Sequence, residues 1–130
     1  MTLVDTSAWV EFFRATGSPV NRRLRTLIRG SDELATTESV AMELLAGVRS
    51  AAENLRVQAT LAGCRTYAVT GPHDWEQAAA IFRACRAQGS TPRTQIDCLI
   101  AAVAIRAGVP VLTADEDFEA IARHTPLQLA

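Results

Sequence analysis

The chain has 130 residues, 48% of them hydrophobic and 5% aromatic, with a formal net charge of −1. That length supports one domain, residues 1–130, with a core of its own, and the near-neutral charge excludes a global basic field, so any polyanion site has to be a local patch. No apolar run reaches bilayer length, no leader-like segment opens the chain, and Cys64, Cys85 and Cys98 form neither a metal-ligand pattern nor a disulfide framework, so a reducing cytoplasm and no membrane contact are expected.

In chain order, Leu3-Val4 reads as a short buried strand ending at Asp5, and Thr6 or Ser7 is placed to cap a helix through Ala8 to Arg14. Gly17-Ser18-Pro19 interrupts it. Pro19 suits the first turn of a second helix, with Ser18 as N-cap; that helix carries Arg22, Arg23, Arg25 and Arg29, turns Leu24, Leu27 and Ile28 inward, and closes at Gly30. Glu33 to Thr36 is a strand candidate. A helix from about Glu38 to Gly47 follows, in which Glu43 is the only charge between Ser39 and Val48. Ala51 to Cys64 reads as helix, Thr66 to Val69 as strand, Gly71-Pro72 as turn and Asp74 to Ala87 as helix. After the loop Gly89 to Pro92, a helix begins near Thr94 and ends at Gly108. Val109 to Thr113 is a strand with Pro110 near its start, Asp115 to Arg123 a short helix, and Leu127 to Leu129 a last edge strand. Strands alternating with helices predict an α/β fold: a short, mostly parallel sheet covered on both faces, an α/β/α sandwich.

The helix near Thr94 poses the chemical question. From Cys98 to Ile105 every residue is apolar, so this helix belongs inside the domain. Yet Asp97 stands at its entrance. One explanation is local: Thr94-Gln95-Ile96-Asp97 fits a capping box, and a helix start favours an acid. The other is that a buried carboxylate needs a partner or a metal. In a parallel sheet, ligands collect beyond the carboxyl ends of the strands. Asp5 ends the first strand and Asp115 follows Thr113 at the end of a later one, which puts both on one rim. Glu43 lies in an apolar helix. All 13 basic residues are arginines, so no lysine is at hand to pair these acids. Two like charges about 4 Å apart repel by roughly 4 kcal/mol at an effective dielectric of 20. A hard divalent cation, Mg²⁺ or Mn²⁺, removes that conflict. Simpler roles exist for single residues: Asp5 and Asp115 as helix caps, Glu43 reaching to solvent, Asp117 and Glu119 enriching a first turn.

The motifs Val4-Asp5-Thr6-Ser7-Ala8-Trp9, Met42-Glu43-Leu44-Leu45-Ala46-Gly47, Ile96-Asp97-Cys98-Leu99-Ile100-Ala101-Ala102 and Leu112-Thr113-Ala114-Asp115-Glu116-Asp117-Phe118 occur in the order found in PIN domains. Over its whole length the chain resembles the VapC toxins of toxin–antitoxin pairs. The resemblance implies a Mg²⁺-dependent endoribonuclease that cuts RNA, often structured RNA such as tRNA. It implies an acidic quartet of Asp5, Glu43, Asp97 and Asp115, an auxiliary acid at Asp117, and small polar neighbours at Thr6 and Thr113. It also implies a homodimer and a cognate antitoxin that holds the enzyme inactive. On this reading Asp5, Asp97 and either Asp115 or Asp117 bind the metal, and Glu43 orients or deprotonates the attacking water. Arg93, just before the Asp97 helix, is the best candidate for an RNA phosphate contact, ahead of the four arginines of the second helix. Trp9 and Phe13, four residues apart on one helix, are candidates for an antitoxin-binding surface.

Two rivals are an inactive PIN-like module that only binds RNA or protein, and a phosphoryl-acceptor receiver domain. Four converging acids argue against the first and the missing lysine against the second. A Walker-type nucleotide binder is excluded, because no G-x-x-x-x-G-K-[ST] occurs.

Overall fold

Leu3 and Val4 are fully buried at the middle of a parallel sheet, and the rest of the chain is layered around them. A computed structural model describes residues 1–130. Its elements are β1 (Thr2–Val4), α1 (Thr6–Phe13), α2 (Pro19–Arg29), β2 (Leu34–Thr37), α3 (Glu38–Ala46), α4 (Ala51–Ala62), β3 (Arg65–Tyr67), α5 (His73–Ala87), α6 (Gln95–Ala107), β4 (Val111–Leu112) and α7 (Glu116–His124). The four strands run in the order β3-β2-β1-β4, all parallel, with helices as crossovers. This is the expected α/β fold.

Register is what matters for function. Leu3 pairs with Val111 and Val4 with Leu112, and the Asp5 N–H donates to the Leu112 carbonyl at 2.9 Å. The first residues beyond β1 and β4, Asp5 and Thr113, therefore leave the same rim side by side. Helix α6 lies along α5 and supplies the heart of the core: every residue from Asp97 to Ala104 is buried. Its end is set by Gly108, whose φ of +68° is the left-handed conformation that a side chain disfavours.

Several local expectations are corrected. The cap of α1 is Asp5 rather than Thr6 or Ser7, because its carboxylate accepts the Ser7 N–H. Ser18 caps α2 as expected, but Ile28 faces outward, 40% exposed. Strand β4 is confined to two residues: Pro110 has no N–H to give a ladder, and the Thr113 hydroxyl turns to Asp5. The expected last strand is a single parallel bridge, Val111 to Leu129, against the open edge of β4. The strand expected over Thr66 to Val69 is shifted to Arg65–Tyr67.

One buried ion pair ties the far side of the fold together. Asp74 is fully buried at the start of α5, and Arg106 from the last turn of α6 donates to it through Nε and Nη2, at 3.0 and 2.9 Å, and to the Ala68 carbonyl at 2.7 Å. Burial pushes the Asp74 carboxyl up, but hydrogen bonds from Arg106 and the Thr70 N–H, with the Arg106 charge, hold it below the ordinary range. Removing the arginine strands a buried charge. Arg106→Ala should lower unfolding free energy in urea by about 3 kcal/mol, and an Asp74→Asn/Arg106→Ala double variant should lose less than the sum of the singles.

Candidate active site

The carboxyl ends of β1 and β4, the start of α6 and the start of α7 converge on one acidic cluster. Asp97 is its floor. The residue is 5% exposed, and its Oδ2 is buried without a hydrogen-bond partner. Thr94 caps α6 as expected, accepting the Ile96 N–H at 3.1 Å, but Asp97 returns no bond to Thr94, so the reciprocal capping box does not form. Asp97 therefore faces the cluster.

Asp115 and Asp117 stand opposite. Asp97, Asp115 and Asp117 each bring one carboxylate oxygen to within 4.8 Å of the others. Asp115 is held in place twice: its N–H donates to Thr113 Oγ1 at 2.9 Å, and its Oδ1 caps α7 by accepting the Asp117 N–H at 2.9 Å. Asp117 accepts the backbone N–H of Arg93 at 3.0 Å. Arg93 then folds its side chain across the mouth, with Nε 3.1 Å from Asp117 Oδ2 and Nη2 2.6 Å from Asp115 Oδ1. No lysine is at hand for these acids, as expected, but an arginine is: Arg93 pairs with two of them.

Asp5 and Glu43 form the other wall. Asp5 is 2% exposed, and its Oδ2 accepts Ser7 Oγ at 2.6 Å, the Ser7 N–H at 3.2 Å and Thr113 Oγ1 at 3.1 Å. Ser7 Oγ also accepts the Ala114 N–H at 2.9 Å, which pins the β4 exit to the start of α1. Thr6 donates to Glu43 Oε1 at 2.7 Å. Neither Asp5 nor Glu43 joins the tight group of three, yet both act on it. The Asp97 carboxyl is pushed up to about 7, first by burial and then by the charges of Asp5, Asp115, Glu43 and Asp117. Burial also lifts Asp5, against the hydroxyl hydrogen bonds, and lifts Glu43, with Asp5 adding to it. All five acids of the sequence analysis thus lie in one field.

Two residues escaped the sequence reading. Ser7 appeared only as a helix cap, whereas it bridges Asp5, Thr113 and Ala114; the signal was a hydroxyl two residues after a strand-ending aspartate, the spacing of an Asx turn. Arg93 was assigned to RNA alone. Trp9, expected on a partner surface, is 1% exposed and stacks on Phe13 within the core, so only the half-buried Phe13 remains available.

The donor set is all carboxylate, which suits a hard divalent cation. The orphaned Oδ2 of Asp97 is the atom that fits such an ion best, since nothing in the protein satisfies it.

Comparison with known proteins places the fold and the family. The PIN domain family model matches residues 2–124. VapC ribonuclease Mb1587 of Mycobacterium bovis and ribonuclease VapC11 of Mycobacterium tuberculosis are each 43% identical over 131 residues, covering 100% of this chain and 98% of the relative. Among solved structures, VapBC2 from Rickettsia felis, bound to a promoter DNA fragment, superposes with a TM-score of 0.74 at 18% identity, covering 99% of this chain and 96% of that one. The sarcin-ricin loop cleaving toxin VapC20 of M. tuberculosis does so with a TM-score of 0.69 at 19% identity, covering 98% and 99%. The chain is a PIN domain by its family model and by its fold. It belongs to the VapC ribonuclease family.

The buried cluster makes stability depend on pH in a direction unusual for an aspartate. Folded Asp97 keeps its proton to about pH 7, whereas the unfolded chain releases it near pH 4. Between those values the folded state binds the proton more tightly, so raising the pH costs the metal-free fold. In EDTA, wild type should lose stability relative to Asp97→Asn as pH rises from about 4 to about 7, by on the order of 2–3 kcal/mol. Paired melting curves across that range check it; a constant difference means that Asp97 does not titrate in the cluster.

Proposed function

We propose that this chain is the toxin of a toxin–antitoxin pair and a Mg²⁺-dependent endoribonuclease of structured RNA, with tRNA as the first target to test. The carrying observation is Asp97, a buried carboxylate that has an unpartnered oxygen and brings one oxygen within 4.8 Å of two other carboxylates. Asp97, Asp115 and Asp117 would hold the cation, with Asp5 at the edge of the same field. Bound there, a divalent ion would relieve the repulsion among the acids and stabilise charge on a phosphodiester.

The protein groups divide the remaining work. Glu43 accepts from Thr6 through Oε1, which leaves Oε2 to orient or deprotonate an attacking water. Its raised pKa makes it a better proton acceptor than an ordinary glutamate. Asp5 is fixed by Ser7 and Thr113, so it cannot rotate away from its neighbours. In-line attack by the water would leave a 5′-phosphate and a 3′-hydroxyl. Arg93, its side chain 74% exposed at the rim, is the residue assigned to an RNA phosphate.

The antitoxin is assigned to a groove of about 340 Å³ between α1, α3 and α4. Val10, Phe13, Leu44, Val48 and Val57 form its apolar lining, Arg14, Arg49 and Arg56 stand along it, and Glu43 lies in its wall. The reading includes a homodimer, supported by Trp75, which is 58% exposed beside Phe82 and Ile96.

Cleavage of tRNA and ribosomal RNA fragments should appear with Mg²⁺ and vanish in EDTA. Asp97→Asn and Glu43→Gln should each lower the rate by at least about 100-fold, the scale of a lost acid–base group. Wild-type protein that cuts none of these RNAs with Mg²⁺ would leave a binding module, and folded variants that cut at the wild-type rate would remove Asp97 and Glu43 from the active site. For the partner, co-expression with the neighbouring gene product should give a complex. Phe13→Ala should weaken that complex by about tenfold or more, as for a truncated aromatic anchor; full affinity in a folded variant places the partner elsewhere.

A further inference from the structure

Arg93 spends Nε and Nη2 on two carboxylates of the cluster, which leaves less of its guanidinium and of its charge for an RNA phosphate. Its contacts show how the conflict is resolved. The backbone of Arg93 is fixed: its N–H is bonded to Asp117, and the preceding Pro92 is buried. Its side chain is held only at its tip, by two ion pairs at the surface. It is 74% exposed and touches the protein through Nη2 on Asp115 and Nε on Asp117. Exposed pairs of this kind are weak, because water screens them and ordering a long side chain costs entropy.

The two acids do not depend on that side chain for their positions. Asp115 is anchored by Thr113 and by capping α7, and Asp117 keeps the Arg93 backbone N–H whatever the guanidinium does. Removing the guanidinium therefore leaves the carboxylates in place. The arginine also covers only the mouth. It makes no bond to Asp97, whose Oδ2 stays buried and unpartnered beneath it. A planar single charge on a long stem satisfies the two outer acids and misses the floor. A compact divalent ion has the size and charge to meet all three.

We propose that Arg93 is a displaceable internal counter-ion: it neutralises Asp115 and Asp117 in the metal-free protein, competes with the divalent cation for them, and is released to solvent when the cation binds. This rests on the metal-site reading of Asp97, Asp115 and Asp117 and adds a role for an arginine of the chain itself. Metal binding and RNA engagement are then linked through one side chain, because the same event that loads the site frees the guanidinium for a phosphate.

The test is metal binding without RNA. The full chain, stripped with EDTA, is titrated with Mn²⁺ by calorimetry as wild type, Arg93→Ala and Asp97→Asn. Arg93→Ala should bind Mn²⁺ roughly three- to fivefold more tightly than wild type, the scale set by losing an exposed ion pair. The second readout is the Arg93 Nε–H resonance in ¹H–¹⁵N spectra, which should move to the position of a solvent-exposed arginine as Mg²⁺ is added. Equal or weaker Mn²⁺ affinity in Arg93→Ala, with wild-type binding still abolished by Asp97→Asn, overturns the counter-ion role and leaves the metal site standing. Wild-type protein that binds no Mn²⁺, or binds it equally well as Asp97→Asn, overturns both. Arg93→Lys serves as the conservative variant: it restores a charge but not the planar fork, and its affinity should fall between wild type and Arg93→Ala.

Discussion

A carboxylate buried at the mouth of an apolar helix is the constraint from which the rest of this structure follows. Helix α6 has to lie inside, because an uninterrupted apolar run has nowhere else to go. Asp97 is carried in with it. Desolvating a charge without compensation is too expensive for a marginally stable fold. The site therefore has two ways to exist: protonated, or loaded with a cation. With its pKa pushed up to about 7, the Asp97 carboxyl stands between its protonated and ionised forms at neutral pH. Four more acids around it make the protonated form easier and the loaded form more rewarding.

The structure uses two kinds of group to keep these acids together. Neutral hydroxyls serve the deeper wall: Ser7 and Thr113 bind Asp5, and Thr6 binds Glu43. A hydroxyl fixes a carboxylate without neutralising it, so the charge stays available to an ion. A guanidinium serves the outer pair, where solvent makes its hold weak. Had Arg93 been placed at the floor, in the position of Asp97's missing partner, it would have formed a buried ion pair like Asp74–Arg106. That second pair shows the contrast. Asp74 is fully enclosed, is held by two nitrogens of one arginine, and has no second acid among its hydrogen-bond partners. One arrangement stabilises the fold; the other keeps a site ready.

Much of this was legible in the sequence, for identifiable reasons. The parallel α/β fold followed from strands alternating with helices, and the shared rim of Asp5 and Asp115 from both lying just past strand ends. The depth of Asp97 followed from the residues after it. What the sequence hid depended on side-chain direction. The capping box at Thr94 was plausible by spacing, yet Thr94 takes the Ile96 N–H and Asp97 turns to the cluster. Trp9 and Phe13 lie on one face by helical period, but the period does not say which of them the core claims. The Arg93 pairing joins residues more than twenty apart, and only the packing of α7 against α6 brings them together. Strand β4 was overestimated because Pro110 and Thr113 both look tolerable in a strand, whereas Pro110 gives only its carbonyl, to Leu3, and Thr113 lies beyond the paired residues with its hydroxyl on Asp5.

Glu43 has a double position that joins the acidic cluster to the groove. Its Oε1 is bonded to Thr6 at the acidic cluster, and the same residue lies in the wall of the groove lined by Phe13 and Leu44. A segment seated in that groove would reach the proposed water-orienting acid without any movement of the sheet. It would pass Arg49 and Arg56 along the groove before reaching acids that Arg93 leaves uncovered, since Arg93 pairs only with Asp115 and Asp117. A basic side chain at the end of such a segment would find uncompensated carboxylates at Glu43 and Asp5, and would be favoured there for the same electrostatic reason that a metal is. Inhibition by occupancy then needs no separate conformational switch. The repulsion among the acids attracts a cation from whichever source arrives first: the solvent, the chain's own Arg93, or a bound partner.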